Sequence, residues 1–494
     1  MNSNPASPEA TPRLARIIPR DSHPISRSRI SPDALRVLYR LREAGFQAFL
    51  VGGCVRDLML GIEPKDFDVA TDALPEQVKK LFRNCRLVGR RFRLAHVFFG
   101  REIIEVATFR ASSAPSQAED PVELIDESID EVIGDVESSN AAGDTVDAHD
   151  IHDFDENLER VVDDSGRILR DNVYGNIDDD VWRRDFTCNA LYYNIADFSV
   201  WDYCGGFEDV QAKRLRLIGD PETRYREDPV RMLRAARFEA KLNFEIEPAT
   251  AEPIGQLAEL LAGVPAARLF DETLKLFLTG HGARSLETLR DRSLLKVLLP
   301  NVGDFIERYP DSPPARMLMQ ALANTDARVQ ADKPVTPGFL FAVLLYGSIG
   351  LEIEKAPREQ WHDIATILDA VDRAVMVIHR RVAVHRRFIL GLRDMFALQP
   401  RLESPRGRRA LRTMEHPRFR AAFDLLQLRS QFGMADAAIV EWWSRMQSAN
   451  PEQRAAMAES LGRASGSGPA RSGTSRSRGG RRRGRGGRSR RSGD

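Results

Sequence analysis

The apolar pattern changes period once, near Thr223, and that change limits the chain to two kinds of architecture in series. Up to that point, short runs alternating at period two are interleaved with short helical patterns. A helical period from Pro32 runs through Leu35, Leu38 and Leu41 to Gly45, and residues 46–51 read as a strand halted by Gly52-Gly53. Val55, Leu58, Met59 and Leu60 follow at helical spacing, and residues 67–69 are a second short strand. A helix opening on Pro75 carries Val78, Leu81 and Phe82 on one face, proline being suited to a first helical turn. Residues 85–109 alternate as a hairpin with turns at Gly89 and Gly100, and more strands are expected over 191–195 and 200–203. Beyond Thr223, helices are expected over 230–242, 252–261, 268–278, 286–298, 339–346, 361–377 and 420–428. The fold class is therefore α+β: a small mixed sheet with helices, followed by an all-helical body.

At 494 residues the chain exceeds one core, since domains run to roughly 100–200 residues, and two to four domains are expected. The division predicted is an extension over 1–30, a head over 31–222, a helical neck over 223–300, a helical body over 301–463 and a tail over 464–494. Five prolines and a sparse apolar pattern mark residues 1–30 as disordered. The formal net charge of zero sums very unequal parts. Residues 112–165 hold eighteen Asp or Glu against one Arg, too acidic and too long for an ordered loop, and read as a disordered insertion in the head. Residues 464–494 hold ten Arg against one Asp among Gly and Ser, a disordered polycation. What remains carries about +8, which points to an anionic partner.

No run of about 18 apolar residues exists to span a membrane, and the first thirty residues lack the apolar stretch of a secretory signal. A cytoplasmic location is expected. Cys54, Cys85, Cys188 and Cys204 form no C-x-x-C and have no His pair at zinc spacing, so they read as reduced, mostly buried thiols.

Four motifs carry the chemistry. In Leu50-Val51-Gly52-Gly53-Cys54-Val55-Arg56-Asp57 a strand runs through two glycines into a helix. Backbone N–H groups there can approach a phosphate closely, although the same dipeptide also makes ordinary tight turns. In Lys65-Asp66-Phe67-Asp68-Val69 the two carboxylates project to one side of a strand while Phe67 and Val69 turn inward. Such a pair repels itself unless cations sit between, and two Mg²⁺ ions, with Mn²⁺ able to substitute, suit in-line phosphoryl transfer. The third motif, residues 183–190, crowds Arg183, Arg184, Asp185 and Asn189 before an apolar strand. The fourth, from Arg226 to Arg237, sets Glu227, Asp228, Arg231 and Arg234 around a helix start. It reads either as a donor and acceptor edge for a base or as an acidic cap with solvated arginines.

These motifs, in this order, resemble the class II nucleotidyltransferases, the group of bacterial poly(A) polymerases and CCA-adding enzymes with a polymerase-beta-like head, over residues 33–280 apart from the insertion. The resemblance implies that Gly52, Gly53 and Arg56 grip a triphosphate and that Asp66 and Asp68 are the catalytic, metal-binding pair. It further implies that Asp185 is an essential acid reaching the nucleotide ribose, with Arg184 and Asn189 beside it, and that Asp228 and Arg231 recognise the incoming base. Glu105 stands where a third strand would bring another carboxylate to the metals, or is simply a solvent-facing strand residue. His96 reads as structural or substrate-touching.

Residues 87–97, 202–209 and 217–229 resemble the poly(A) branch more than the CCA-adding branch, and so does the chain length. The implied activity is addition of AMP from ATP to RNA 3′ ends, with CCA addition to tRNA as the alternative. Arg90, Arg91 and Arg93 form a basic stretch able to hold primer or triphosphate. Arg481, Arg482 and Arg483 lie in a tail suited to salt-sensitive, sequence-independent RNA binding. RNA-decay proteins are candidate partners, and nothing in the chain requires a dimer.

Overall fold

In a computed structural model the described residues are 14–89, 93–111, 161–162, 168–170 and 174–464. The head is built on one eight-stranded mixed sheet. Its strands are β1 (Arg16–Ile18), β2 (Ala48–Val51), β3 (Asp68–Thr71), β4 (Cys85–Val88), β5 (Leu94–Phe99) and β6 (Glu102–Thr108). After the short pair β7 (Val161–Val162) and β8 (Ile168–Arg170) come β9 (Leu191–Asn194) and β10 (Val200–Asp202). The spatial order is β1-β10-β9-β2-β3-β6-β5-β4. All neighbours are antiparallel except β3 and β6, which run parallel with Asp68 opposite Glu105.

Both faces of the central strands are covered, which explains why β2 is apolar at every position. Ala48 and Leu50 belong to the large core, whereas Phe49 and Val51 belong to a second cluster with Tyr192, Ile177 and Val181. Helices α1 (Pro32–Glu43), α2 (Gly53–Met59) and α3 (Pro75–Leu81) join the first core, and α4 (Ile177–Arg183) covers the second. The Ser31 hydroxyl accepts from the Asp33 and Ala34 amides to cap α1, with Pro32 in its first turn, and Gly45 at φ +90° ends it.

After β10 come α5 (Gly206–Gln211) and α6 (Pro221–Glu227), leading into α7 (Val230–Leu242). Strands β11 (Arg214–Leu215) and β12 (Glu245–Ile246) pair beside them. Then follow α8 (Pro248–Leu257), α9 (Ala266–Phe277), α10 (Gly282–Asp291), α11 (Leu295–Leu298) and α12 (Pro300–Arg308). The body comprises α13 (Pro313–Gln330), α14 (Pro337–Ile353), α15 (Ile364–His379), α16 (Arg386–Glu403), α17 (Gly407–Met414), α18 (Phe419–Gln431), α19 (Ala437–Ser448) and α20 (Pro451–Ala464). Among the described residues no helix is long and apolar enough to cross a membrane.

Three expectations need correction. Residues 14–30 of the supposed disordered extension are folded: β1 pairs with β10, Ile25 is fully buried, and His23 Nε2 lies 2.8 Å from the Phe198 carbonyl oxygen. Prolines stop helices but tolerate an edge strand, and the partners lie about 180 residues away, where local periodicity carries no signal. Part of the supposed disordered insertion is also ordered, since β7 pairs with β8; the remainder of 112–165 falls outside the described residues, as do 1–13 and 465–494. Finally, the helix expected over 286–298 is two helices, α10 and α11, parted where Ser293 adopts φ +61°.

Candidate active site

Gly52 takes the chain from β2 into α2 at φ +78° and ψ −136°, a conformation that residues with a Cβ rarely adopt. Val51 pairs with Asp68 on β3, so the turn opens beside that carboxylate. A Cβ placed on Gly52 would lie 3.6 Å from Arg184 Nη1 and 3.8 Å from Asp68 Oδ2. Three segments distant in sequence thus converge on the Gly52 turn. Gly52→Ala is expected to destabilise the head by about 1–3 kcal/mol, measured by thermal denaturation, because the backbone strain then has no relief.

The D-x-D motif alternates as its spacing predicts. Asp66 and Asp68 are exposed while Phe67 and Val69 are buried, with Asp66 lying just ahead of the strand. Among the described residues, no group of three or more His, Cys, Asp or Glu side chains is placed to hold a metal ion. Two carboxylates suit Mg²⁺, which commonly takes one or two and fills its shell with phosphate oxygens and water. Asp68 Oδ2 borders the Gly52 turn, 3.8 Å from where a Cβ on that glycine would lie. Glu105 sits in register with Asp68, but its carboxylate lies 3.7 Å from His96 Nε2, so this histidine faces an acid across the strand pair.

The R-R-D motif is locked in place. Arg184 Nε donates to the Tyr192 hydroxyl at 2.9 Å, and its Nη2 reaches Asp180 at 3.0 Å, keeping the guanidinium charged. Its Nη1 edge is left facing the Gly52 turn. Asp185 accepts from the Phe186 amide at 2.8 Å, Asn189 Nδ2 at 3.2 Å and Arg234 at 2.6–2.8 Å. Burial would raise its pKa, but the Arg234 charge and these hydrogen bonds prevail and hold the carboxyl down at about 2. A ribose hydroxyl reaching Asp185 would share an oxygen that already accepts a donor. Arg56 is buried rather than splayed toward solvent: its Nη1 donates to Asn189 Oδ1 at 2.5 Å and its Nε and Nη2 to Asp57 at 2.9 and 2.7 Å. It thereby ties α2 to the R-R-D motif.

On the neck, Asp228 receives both prongs of Arg268, each at 2.7 Å, and the Val230 amide at 3.1 Å. These donors hold its pKa below the usual carboxylate range against the opposing effect of burial. Arg231 donates to the Arg224 carbonyl at 2.7 Å and to Glu227 at 3.0 Å. The two expected base readers are therefore each held by a different partner. Arg268, on α9, gave no sign in the sequence, because its role depends on a contact forty residues away. Arg234 was legible only as one face of α7, and its pairing with Asp185 spans forty-nine residues.

Arg93 pairs with Glu76 of α3. Arg90 and Arg91, like Arg481, Arg482 and Arg483, lie outside the described residues. Burial pushes the Cys54 and Cys188 thiols up to about 12, so both are inert structural thiols.

A mixed sheet presenting a Gly-Gly turn against a carboxylate pair and an R-R-D clamp defines a nucleotidyltransferase head. Residues 48–216 match the family model of the poly A polymerase head domain. Residues 243–306 match one described as a probable RNA and SrmB-binding site of polymerase A, and 359–486 one described as the polymerase A arginine-rich C-terminus. The chain is 46% identical to poly(A) polymerase I of Salmonella typhi over 90% of its length and 88% of that enzyme. It is 32% identical to the CCA-adding enzyme of Lactobacillus helveticus, over only 56% of its length and 58% of that enzyme. A solved tRNA-processing enzyme in an apo form shares the fold, with a TM-score of 0.52 at 19% identity over 86% of this chain and 99% of that one. The chain belongs to the poly(A) polymerase family.

Proposed function

We propose that this site transfers AMP from ATP to the 3′-hydroxyl of RNA without a template, releasing pyrophosphate. The observation that carries the reading is the convergence of Arg184 Nη1 and Asp68 Oδ2 on the Gly52 turn. Backbone N–H groups of the Gly52-Gly53 turn and Arg184 Nη1 bind the triphosphate, and Asp66 and Asp68 hold divalent ions, Mg²⁺ or Mn²⁺. Such ions, when bound, lower the pKa of the attacking hydroxyl and offset charge on the leaving pyrophosphate. Asp185, kept ionised by Arg234, orients the sugar, and Arg56 and Asn189 brace the turn from beneath. Asp228 and Arg231 read the adenine edge. The head over 31–222 supplies the chemistry, the neck over 223–300 the base and primer contacts, and the body and tail sequence-independent RNA affinity. The enzyme works as a cytoplasmic monomer that promotes RNA processing and turnover alongside RNA-decay proteins.

Incorporation by the purified full chain on a short unstructured RNA, with Mg²⁺ and each NTP separately, tests this. Long ladders with ATP alone support the proposal. Addition that requires CTP and stops after three nucleotides on tRNA lacking its 3′ end would place the chain with the CCA-adding enzymes instead. Because Arg268 fixes Asp228 with two charge-assisted hydrogen bonds, Arg268→Met is expected to lower preference for ATP over CTP by about tenfold. The ratio of kcat/KM values for the two nucleotides checks it.

A further inference from the structure

Helix α7 carries a stripe of cations at Arg231, Arg234, Arg237 and Lys241, spaced to lie along one side of the helix. The first three each have an acid: Glu227 at 3.0 Å, Asp185 at 2.6 Å and Glu272 at 3.3 Å. Lys241 has no salt bridge or hydrogen bond among the described residues. Around it positive charge accumulates. The guanidinium carbons of Arg56, Arg234 and Arg237 lie 5.5, 5.6 and 4.7 Å from the ring centre of Phe238, which precedes Lys241 by one turn. The fields of Arg56, Arg237 and Lys65 all act on the Lys241 ammonium. The acid that acts on it, Asp57, is already engaged by Arg56 at 2.9 and 2.7 Å.

Lys241 is solvent-exposed, yet surrounding protein and these like charges depress its pKa. Cations collected along one side of a helix, with the last of them lacking a paired acid, are stabilised by an anion. We infer that Lys241, with Arg237 and Lys65 beside it, forms a subsite for a backbone phosphate of the RNA primer near its 3′ end. The nucleotide's own phosphates are served by Gly52 and Arg184 on the sheet side. Lys241 and Lys65 also act on His281 at the start of α10, together with Arg284 and the acid Asp326. Basic residues shared between two helices suit a polymer better than a mononucleotide. The assignment rests on the proposed reaction.

The test uses the full chain with Lys241→Gln and Lys241→Arg. RNA affinity is read by fluorescence anisotropy of a labelled oligoribonucleotide without ATP, and KM is measured for RNA and for ATP separately. Expected is a loss of about tenfold in RNA affinity and a matching rise in KM for RNA with Gln, restored by Arg, with KM for ATP within twofold. The salt slope of RNA binding should become shallower by about 0.7, one single-strand phosphate contact. Unchanged RNA affinity in the folded Gln variant overturns the inference. So does a rise in KM for ATP alone, which would assign Lys241 to the nucleotide's triphosphate. Should Lys241→Gln fail to fold, Lys241→Met, which keeps the aliphatic stem packed, carries the same measurements. Failure of the proposed reaction is separately visible, because wild-type protein would then bind RNA without incorporating AMP.

Discussion

Asp68→Ala is expected to reduce AMP incorporation by about a thousandfold, corresponding to loss of the several kcal/mol that a correctly held metal ion contributes to the transition state. Asp66→Ala should behave alike. The fold should survive both changes. Each carboxylate is exposed, and the residues that anchor the segment to the core are Phe67 and Val69. Removing one of two neighbouring like charges is close to neutral for stability, within about 1 kcal/mol in thermal denaturation. Single-turnover rates with saturating ATP and RNA make the measurement. A folded variant retaining a tenth of wild-type rate would show that this pair is not the metal site.

Arg234→Met should cost about 3 kcal/mol of stability, because it leaves the largely buried Asp185 carboxylate without its cation. The pH dependence gives the effect a signature. Asp185 has a folded pKa of about 2 against an ordinary 3.8, so its ionised form is the one the fold favours. That contribution is fully present above about pH 3.8 and is lost as pH falls toward about 2. Integrated over that window it amounts to about 2 kcal/mol. In Arg234→Met the folded pKa should rise, so wild type and variant converge in stability as pH drops through this range. Calorimetric melting at pH 7 and at pH 3 provides the comparison. An unchanged gap between the two proteins at the two pH values would mean that the pairing does not set the ionisation of Asp185. Catalysis should fall as well, since Asp185 would be free to turn away from the site.

How far the sequence reaches can be seen in particular residues. Alternation of Asp66 and Asp68 with Phe67 and Val69 was legible because a strand's side chains obey a period of two, whatever the rest of the chain does. The Gly52 turn was legible because few residues other than glycine accept its backbone conformation. Helix α7 was placed at its observed ends, since its apolar residues recur at the helical period with Pro229 just ahead of it. Edge strand β1 was missed for the opposite reason: three residues of ladder with β10 have no local pattern to reveal them.

By itself, then, the sequence determined the order of sheet and helices, the turn at Gly52, the paired carboxylates and the motifs that mark the family. These are local properties, set by backbone conformation and side-chain period within a few residues. Only the tertiary structure decided which partner each charge takes: Asp185 with Arg234, Asp228 with Arg268, Arg56 with Asn189, and Lys241 with no salt-bridge or hydrogen-bond partner among the described residues. Those choices join segments from 40 to 133 residues apart, and a charge leaves no periodic trace of the partner that will neutralise it across such a distance.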